Sequence, residues 1–437
     1  MRCVVSFGSS GIRGVFGRDI TPELFVEIGS IVGSRYERIL LGRDVRTSSH
    51  LLSNAFAGGA LSSGGVVDDG GVLSTPTVAF GAKDYDCGVV ITASHNPPEY
   101  NGVKLWNSSG IAFGEQQQKE IEEDLAHHSF ERRSWDRIGK MATRHGLALD
   151  HAEAIVDSVG TAKLKVVVDC GCGSAGGITP YVLRDMGCRV IALNAQFDGH
   201  FPGRSPEPTE QNLEVLRKAV PATGADLGLA HDGDGDRVVA VDEKGAYVGG
   251  DKLLLLLAAE LVRKAVVVPV DASMAVDEAL PGAKVWRTRV GDVYVAQEVQ
   301  RRKADFGGEP SGTFIFPKWG LFPDGIYAAA LIATLAAEEK LSERIARLLT
   351  YPSLRTSFQF EPAKRGEVSR ALEQTMSSVE GKLTKVDGWR VDSEDGWCLV
   401  RISGTEPKVR LQVEARTESR TKEIYESLVS KVKAVLR

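Results

Sequence analysis

Two polar motifs far apart in the chain constrain its fold, because their chemistry is complete only when the fold brings them together. Residues 92–97 read Thr-Ala-Ser-His-Asn-Pro and offer the hydroxyl of Ser94, while residues 232–237 read Asp-Gly-Asp-Gly-Asp-Arg. Three carboxylates at alternate positions repel one another unless a divalent cation lies between them. A serine hydroxyl beside a bound cation is what phosphoryl transfer through a serine requires. The two motifs together therefore predict an enzyme.

The aspartate motif has three interpretations. A calcium-binding EF-hand loop would place Glu243 at its twelfth position, but Arg237 stands where that loop requires glycine. In addition, residues 238–241 are strand-like where the exiting helix of an EF-hand should begin. A solvated acidic turn is the second interpretation, because Asp and Gly are common in loops. We favour a magnesium site, since the small glycines let one face of a tight loop present all three carboxylates.

Strand-like apolar runs alternate with helical stretches along most of the chain, which is typical of α/β domains. Four such runs are followed by polar or glycine-rich segments, and they are residues 39–41, 88–91, 166–168 and 227–230. Open α/β sheets place their sites at the carboxyl ends of strands, so the segments that follow these runs are candidate walls of a site. The longest apolar runs, 253–262 and 327–337, are too short to span a bilayer and predict core helices.

Charge and cysteine content narrow the class of protein. A net charge of −5 and a pI near 6.0 argue against nucleic-acid and polybasic membrane partners. An anionic small-molecule substrate stays open, because its site needs only local positive charge. The first residues lack the apolar stretch of a signal peptide, and the six cysteines form neither a disulfide framework nor a zinc pattern. We expect a cytoplasmic protein with buried free thiols at Cys87, Cys170 and Cys398; a homo-oligomer is compatible with the sequence, which does not specify it.

Two further motifs have competing interpretations. Residues 171–176 match the G-x-G-x-x-G pattern, but a dinucleotide site needs an acidic residue at the end of the next strand, where Asn194 stands. We favour a structural turn over a nicotinamide-dependent dehydrogenase. Ser94 is compatible with a helix cap or, with His95, a Ser-His-Asp hydrolase. Adjacent residues rarely face each other and G-x-S-x-G is absent, which disfavours the hydrolase.

Two later loops suit a phosphorylated sugar. In residues 307–312, Gly-Gly-Glu-Pro-Ser-Gly, the side chains of Glu309 and Ser311 suit vicinal hydroxyls, although a plain tight turn accounts for the pattern equally well. In residues 401–410, two arginines flank hydroxyls and a glycine, an arrangement that can present guanidinium forks and N–H groups to a phosphate. An exposed basic turn is the alternative there.

In this order, the motifs resemble those of the α-D-phosphohexomutase family over nearly the whole chain. The opening residues 7–14, Phe-Gly-Ser-Ser-Gly-Ile-Arg-Gly, are similar to the N-terminal signature of that family. Two positions depart from its pattern: Ser9 replaces a frequent Thr, and Thr313 replaces a His that is frequent after the sugar loop. The segment Gly-Glu-Pro-Ser-Gly-Thr looks more like archaeal members.

The resemblance implies three related α/β domains and a smaller α+β C-terminal domain, each giving one loop to a central cleft. The expected domains are residues 1–147, 148–249, 250–351 and 352–437. The implied catalytic residues are Ser94 as phosphoryl carrier, Arg13, Arg237 and His95, and Lys104 as a candidate for proton handling. The implied ligands of one Mg²⁺ are Asp232, Asp234, Asp236 and an oxygen of phosphorylated Ser94. The implied sugar and phosphate contacts are Glu309, Ser311, Arg401, Ser403, Gly404, Thr405 and Arg410.

The same resemblance implies a phosphohexomutase. Phosphorylated Ser94 gives its phosphoryl group to a hexose monophosphate, the bound hexose 1,6-bisphosphate turns around, and Ser94 accepts the other phosphate. Gly291 and Asp292 look like the specificity loop of phosphoglucosamine mutases, and Asp292 would pair with a protonated 2-amino group; the alternative is a solvated acid that caps the next helix. We therefore expect glucosamine phosphate as substrate, with a bifunctional phosphomannomutase/phosphoglucomutase as the alternative and a non-catalytic sugar-phosphate binder as the remote one.

Overall fold

The computed structural model describes residues 7–8, 11–403 and 407–436. Within these ranges the chain forms four β-sheets, of six, five, four and five strands. The first three sheets are mixed and carry helices, whereas the fourth is antiparallel. The expected architecture of three α/β domains and a smaller α+β domain is therefore confirmed.

The first domain is built around the six-stranded sheet. Its elements are β1 (Ile12–Val15), α1 (Pro22–Arg35), β2 (Arg38–Arg43), α2 (Ser49–Ser62), β3 (Val66–Val72), α3 (Thr75–Gly81), β4 (Cys87–Ile91), β5 (Tyr100–Asn107), α4 (Glu115–His127) and β6 (Met141–Thr143). The strand order is β1-β5-β4-β2-β3-β6, and β5 runs antiparallel to both of its neighbours. Residues 130–145 contain β6, which pairs with β3.

Helix α5 (Leu147–Val159) leads into the second domain. The elements of that domain are β7 (Lys165–Asp169), α6 (Thr179–Asp185), β8 (Arg189–Leu193), α7 (Glu214–Thr223), β9 (Leu227–His231), β10 (Val238–Asp242) and β11 (Tyr247–Val248). The strand order is β11-β10-β9-β7-β8, with β7, β8 and β9 parallel and β10 antiparallel to β9.

The third domain contains both of the long apolar helices. Its elements are α8 (Gly250–Leu261), β12 (Ala265–Pro269), α9 (Ala275–Ala279), β13 (Lys284–Thr288), α10 (Asp292–Arg302), β14 (Phe306–Glu309), β15 (Thr313–Ile315), α11 (Gly325–Glu338) and α12 (Leu341–Ala346). The runs 253–262 and 327–337 coincide with α8 and α11, so the prediction of core helices is confirmed. Both helices contribute to one apolar core that the second and third domains share.

The fourth domain is an antiparallel sheet with two helices. Its elements are β16 (Ser353–Gln359), α13 (Arg365–Ser377), β17 (Lys382–Thr384), β18 (Trp389–Asp392), β19 (Gly396–Ile402), β20 (Lys408–Ala415) and α14 (Glu418–Val435). The polar stretch at 349–358 runs into β16, because residues 353–358 form most of that strand, which pairs along its length with β20.

One local arrangement recurs in the three α/β domains. Four loops are named here: the serine loop (92–99), the aspartate loop (232–237), the glutamate loop (307–312) and the arginine loop (401–410). The first three lead from a strand that is parallel to one neighbour into the next strand, which is antiparallel to it: β4 into β5, β9 into β10, and β14 into β15. The arginine loop joins the antiparallel strands β19 and β20. Each of the three α/β domains therefore contributes the connection at the same kind of strand end.

The remaining expectations on burial are met within the described ranges. Cys87, Cys170 and Cys398 are buried free thiols, as predicted. No helix in the part of the chain that the structure describes is both long and apolar enough to cross a membrane.

Candidate active site

The serine loop points the hydroxyl of Ser94 at the aspartate loop. Ser94 Oγ donates to Asp232 Oδ2 at 2.8 Å and lies 3.3 Å from His95 Nδ1. Ser94 has a φ of +52°, a left-handed conformation that is uncommon for a residue other than glycine. The two motifs that the sequence places far apart therefore meet, as their chemistry requires.

The aspartate loop clusters three buried carboxylates. One oxygen from each of Asp232, Asp234 and Asp236 lies within 4.8 Å of the other two. Asp234 Oδ1 and Asp236 Oδ1 are buried and have no hydrogen-bond partner, and buried carboxylate oxygens without a partner are costly. Hard divalent cations prefer oxygen ligands. The three residues thus fit a divalent cation, and the magnesium interpretation fits the geometry better than a solvated turn.

Lys104 offsets part of this negative charge. Its Nζ donates to Asp234 Oδ2 at 2.9 Å and to Asp236 Oδ2 at 2.6 Å. Burial opposes the charge of Lys104, but Asp234 and Asp236 raise its pKa above the usual value. Lys104 is therefore an ammonium in this arrangement, and it brings positive charge to the site.

The carboxylates of the aspartate loop differ in their preference for a proton. Burial, together with Asp236 and Asp234, raises the pKa of Asp232 well above its usual range. Burial also disfavours the charge of Asp234, but Lys104 and the Thr75 hydroxyl lower its pKa on balance. The Thr75 Oγ1 donates to Asp234 Oδ2 at 2.6 Å. Among these two carboxylates, a proton is therefore bound more readily at Asp232, next to Ser94.

Two arginines and His95 border the same centre. Arg13 Nη1 lies 3.4 Å from Asn96 Oδ1 in the serine loop, and Asp234 and Asp236 are close enough to favour its charge. The pKa of His95 is lowered well below its usual value by burial, then by Arg237 and Arg13. His95 is therefore neutral near pH 7, and its Nδ1 is within reach of Ser94 Oγ.

The glutamate loop lies directly beyond the aspartate loop. Val238 N donates to Gly312 O at 3.1 Å, which ties the two loops together. Ser311 Oγ lies 3.4 Å from Glu309 Oε2 and 3.0 Å from Thr313 Oγ1. Burial, together with Asp292 and Asp271, raises the pKa of Glu309 to about 7. The two predicted sugar contacts thus lie side by side, next to the carboxylate centre.

Gly291 and Asp292 join this group from the start of α10. Gly291 N donates to Glu309 Oε1 at 2.8 Å. Gly291, not Asp292, is the N-cap residue of α10, and Asp292 is the first helical residue. Asp292 is buried, and its charge acts on Glu309, Lys104 and Arg13. The carboxylate of Asp292 is therefore buried near these three groups, and the alternative of a solvated capping acid is not what the structure has.

One carboxylate, that of Asp387, links the arginine loop to the segment just before α10. Arg401 Nη2 lies 2.7 Å from Asp387 Oδ2, and the same oxygen accepts from Val290 N at 2.9 Å. Ser403 N donates to Lys408 O, and Arg410 lies opposite Arg401 on the paired strand. Gly404 and Thr405 lie outside the described residues. Arg401 is thus linked to the segment just before Gly291 and Asp292.

The glycine-rich turn at 171–176 supports the aspartate loop. Ser174 N donates to Gly233 O at 3.1 Å. A Cβ atom on Gly173 would lie 2.5 Å from Gly233 O, so only glycine allows this approach. The strand β7 leads through this turn into a short 3₁₀ segment, Ser174–Gly177. The prediction of a structural turn fits this geometry.

Several supporting residues could not be chosen from the sequence. Asp44 and Arg46 lie beneath the serine loop, where Thr92 Oγ1 donates to Asp44 Oδ2 at 2.7 Å; the polar segment after β2 was the only signal. His151 is fully buried between Asp324, 3.0 Å from its Nε2, and Thr77, 3.0 Å from its Nδ1. These three side chains come from different parts of the chain, so no local pattern marks them.

Comparison with known proteins matches all four domains. The models described as phosphoglucomutase/phosphomannomutase α/β/α domains I, II and III match residues 4–132, 148–245 and 249–351, and the C-terminal domain model of the same description matches residues 362–431. The chain is 49% identical over 428 residues to a probable phosphoglucosamine mutase of Methanocella arvoryzae, covering 98% of each chain. It is 39% identical over 444 residues to the phosphoglucosamine mutase of Methanocaldococcus jannaschii, again covering 98% of each.

Solved structures agree in fold. A phosphoglucomutase/phosphomannomutase family protein from Burkholderia thailandensis has a TM-score of 0.89 at 28% identity and covers 100% of this chain and 98% of its own. The N-acetylphosphoglucosamine mutase of Aspergillus fumigatus, in complex with GlcNAc-6P and magnesium, has a TM-score of 0.62 at 15% identity, with 99% and 96% coverage. The second similarity concerns the fold alone.

Proposed function

The chain belongs to the phosphoglucomutase/phosphomannomutase family of phosphohexomutases, and we propose that it interconverts glucosamine 6-phosphate and glucosamine 1-phosphate. One observation carries the chemistry: Ser94 Oγ lies 2.8 Å from Asp232 within a cluster of three buried carboxylates. The substrate is supported by the names of the archaeal relatives at up to 49% identity. The same proposal divides the chain into domains at residues 1–147, 148–249, 250–351 and 352–437.

We assign the carboxylate cluster to one Mg²⁺, held by Asp232, Asp234, Asp236 and an oxygen of phosphorylated Ser94. The fit rests on the two buried carboxylate oxygens that lack a partner. When bound, the ion neutralises charge on the phosphoryl group. Arg13, Lys104 and Arg237 then surround the group with additional positive charge. Positioning and charge neutralisation are the main sources of catalysis in phosphoryl transfer.

The first transfer takes a phosphoryl group from Ser94 to the sugar. The free hydroxyl oxygen of the hexose monophosphate bonds to phosphorus, the bond from phosphorus to Ser94 Oγ breaks, and the hydroxyl proton passes to the seryl oxygen. His95 Nδ1, 3.3 Å from Ser94 Oγ, is in reach to exchange that proton. Lys104 donates hydrogen bonds as an ammonium, which suits it to supply charge and a proton to an oxygen rather than to remove one. The product is a bound hexose 1,6-bisphosphate.

The second transfer requires the bisphosphate to turn around. The phosphorus of its other phosphate then bonds to Ser94 Oγ, the bond from that phosphorus to the sugar oxygen breaks, and the seryl proton passes to the sugar oxygen, so no group is lost overall. Arg401, Ser403, Gly404, Thr405 and Arg410 are the proposed contacts of the phosphate that is not being transferred. The arginine loop thus holds either end of the intermediate in turn, while Glu309 and Ser311 bind the sugar hydroxyls. Enclosure keeps out water, which would otherwise hydrolyse the phosphoserine.

The preference for an amino sugar rests on Asp292. Its buried carboxylate acts on groups that line the cleft, and an ammonium within about 4 Å of it would be attracted in a partly dry environment. Glucose and mannose phosphates carry a neutral hydroxyl in place of that ammonium. A bifunctional phosphomannomutase/phosphoglucomutase is the second candidate, because the matching family models carry both of those names.

The test combines intact mass with a three-sugar assay. The purified protein should carry one phosphoryl mass that Ser94→Ala abolishes, and kcat/KM should be highest for glucosamine 1-phosphate among the glucosamine, mannose and glucose 1-phosphates. Ser109→Ala, which changes an exposed serine of the same domain, is the matched control and should keep both the mass and the activity. Turnover by Ser94→Ala would remove Ser94 from the mechanism. A preference for mannose 1-phosphate would overturn the substrate while leaving the chemistry intact.

A further inference from the structure

Arg46 lies beneath the serine loop and is 1% exposed. Its Nη1 donates to Pro97 O at 2.5 Å and to Tyr100 O at 2.9 Å, and its Nη2 donates to Ser94 O at 2.9 Å and to Asn96 O at 2.7 Å. Its Nε donates to Asp44 Oδ2 at 3.0 Å. A guanidinium has five N–H groups in a fixed planar fork. All five are used here, and four of them bind carbonyl groups of one loop and the strand that follows it.

Asp44, the ion-pair partner of Arg46, is also connected to the backbone N–H of Ser94. Ser94 N donates to Thr92 Oγ1 at 2.9 Å, and Thr92 Oγ1 donates to Asp44 Oδ2 at 2.7 Å. Asp44 Oδ1 also accepts from Ser49 Oγ at 2.5 Å and from Arg46 N at 3.0 Å. The backbone N–H of Ser94 is thus bound through Thr92, and its C=O is bound directly by Arg46. The buried ion pair between Arg46 and Asp44 therefore restrains both the N–H and the C=O of Ser94.

Ser94 needs such a restraint. A serine at a φ of +52° is in a sparsely populated, unfavourable conformation that persists only when the surrounding structure holds it. This conformation aims Oγ at Asp232. It also places Ser94 O against the aspartate loop, since a Cβ on Gly233 would lie 2.5 Å from that oxygen. Relaxation of Ser94 to a negative φ would therefore move Oγ away from the carboxylates.

Arg46 also contacts the second domain. Its guanidinium lies over the ring of Phe201, 5.2 Å from the ring centroid. A Cβ on Gly199 would lie 2.7 Å from the Cα of Arg46, so the backbone of this segment packs directly on it. Arg46, which supports the serine loop, thus packs against the second domain, which carries the aspartate loop.

We propose that Arg46 is a positioning residue for phosphoryl transfer: through Ser94 O and the Asp44–Thr92 pair it holds the nucleophile in its left-handed conformation, aimed at the aspartate loop. All five guanidinium N–H groups of Arg46 already bind the protein, so none is left to bind sugar or phosphate. The inference rests on the proposed function, because it assigns to Arg46 a role in the transfer through Ser94. It predicts an effect on the rate of transfer rather than on binding of the sugar.

The test is Arg46→Lys, which keeps the charge but has only three donors on a flexible stem. Dephosphorylated protein is mixed with glucose 1,6-bisphosphate and Mg²⁺, and phosphorylation of Ser94 is followed by rapid-quench intact mass. Misplacement of a reacting group by about 1 Å costs on the order of 100-fold in rate. We expect the saturating rate of Ser94 phosphorylation to fall about 100-fold, and the bisphosphate concentration at half-saturation to change by less than about threefold.

Arg390→Lys is the matched control. Arg390 is 2% exposed and donates to Val270 O at 2.6 Å and Ala272 O at 3.2 Å, so it too is a buried arginine bound to carbonyl groups, but in the fourth domain. Both lysine variants should lower the melting temperature, whereas only Arg46→Lys should slow phosphorylation of Ser94. A rate for Arg46→Lys within threefold of the unsubstituted protein, or an equal loss in Arg390→Lys, would overturn the inference.

Thr92→Val is the second variant and decides the case if Arg46→Lys does not fold. It removes the acceptor for Ser94 N and the donor to Asp44 while keeping the side-chain shape. A rate reduced about tenfold supports the inference, and an unchanged rate overturns it. If the unsubstituted protein itself is not phosphorylated by the bisphosphate, the proposed function fails instead, so the two failures are distinguishable.

Discussion

Replacement of Glu309 by Gln should make the protein more stable at neutral and alkaline pH, and by a calculable amount. Burial, Asp292 and Asp271 raise the pKa of Glu309 from the ordinary 4.5 to about 7 in the folded protein. Below pH 4.5 the side chain is neutral in both the folded and the unfolded chain. Between pH 4.5 and 7 the Glu309 side chain ionises in the unfolded chain but stays mostly neutral in the folded protein, so the free energy of unfolding falls as pH rises. Well above pH 7 Glu309 is ionised in both states, so the free energy of unfolding falls no further on its account.

The size of this loss follows from the pKa difference. Each pKa unit corresponds to about 1.4 kcal/mol, so the full effect is about 3 kcal/mol. Gln keeps the shape and the acceptor for Gly291 N, 2.8 Å from Glu309 Oε1, but it never carries a charge. The difference in stability between Glu309→Gln and the unsubstituted protein should therefore grow from near zero at pH 4.5 to about 3 kcal/mol at pH 8. For a cooperative unit of 150–250 residues this is roughly 6–12 °C in melting temperature.

Thermal unfolding of both proteins without ligand, at half-unit steps from pH 5 to pH 8.5, measures this difference. Glu131→Gln is the matched control, because the Glu131 side chain is 83% exposed, and its difference from the unsubstituted protein should stay flat across the range. If the curves of Glu309→Gln and the unsubstituted protein run parallel from pH 5 to pH 8, Glu309 does not carry a penalised buried charge and the reasoning is refuted.

Two further changes test the support of the aspartate loop. Asp324→Asn puts an amide where the carboxylate now accepts from Trp319 Nε1 at 2.8 Å and binds His151 Nε2 at 3.0 Å; unsatisfied buried donors cost about 1–3 kcal/mol each, so the melting temperature should fall by several degrees, and an unchanged value would contradict the network. Gly173→Ala places a Cβ 2.5 Å from Gly233 O, so the aspartate loop must shift. Calorimetry should show that the affinity for Mg²⁺ is lowered at least about tenfold. An unaltered affinity would mean that the glycine-rich turn does not support the aspartate loop.

The residues proposed to do the chemistry are easier to predict from the sequence than the residues that hold them. Ser94 and the three aspartates lie in short local motifs whose composition suits few kinds of site, so their type and spacing suffice. The strands that precede them are continuous apolar runs, which is typical of strands buried on both faces. These two signals together place the serine and aspartate loops at strand ends before any coordinates are known.

The supporting contacts are not local, and this is why the sequence does not predict them. Arg46 binds carbonyl groups more than forty residues away, and a carbonyl group has no sequence identity. His151 meets Asp324 across 173 positions of the chain. Strand β16 is hard to predict for a different reason: its side chains are mostly exposed, so it lacks the apolar pattern that marks the buried strands.

The hydrogen bond from Val290 N to Asp387 Oδ2 connects the third domain to the fourth. The proposed nucleophile and the carboxylate cluster belong to the first two domains, while Asp292, Glu309 and the arginine loop, the proposed contacts of the sugar and its phosphate, belong to the last two and are connected to one another. Under the proposed roles, the sugar preference can change by substitution within the C-terminal half while the half that carries Ser94 and the carboxylate cluster stays the same. A chimera that joins the N-terminal half of this chain to the C-terminal half of a mannose-specific relative is the natural way to put that modularity to use.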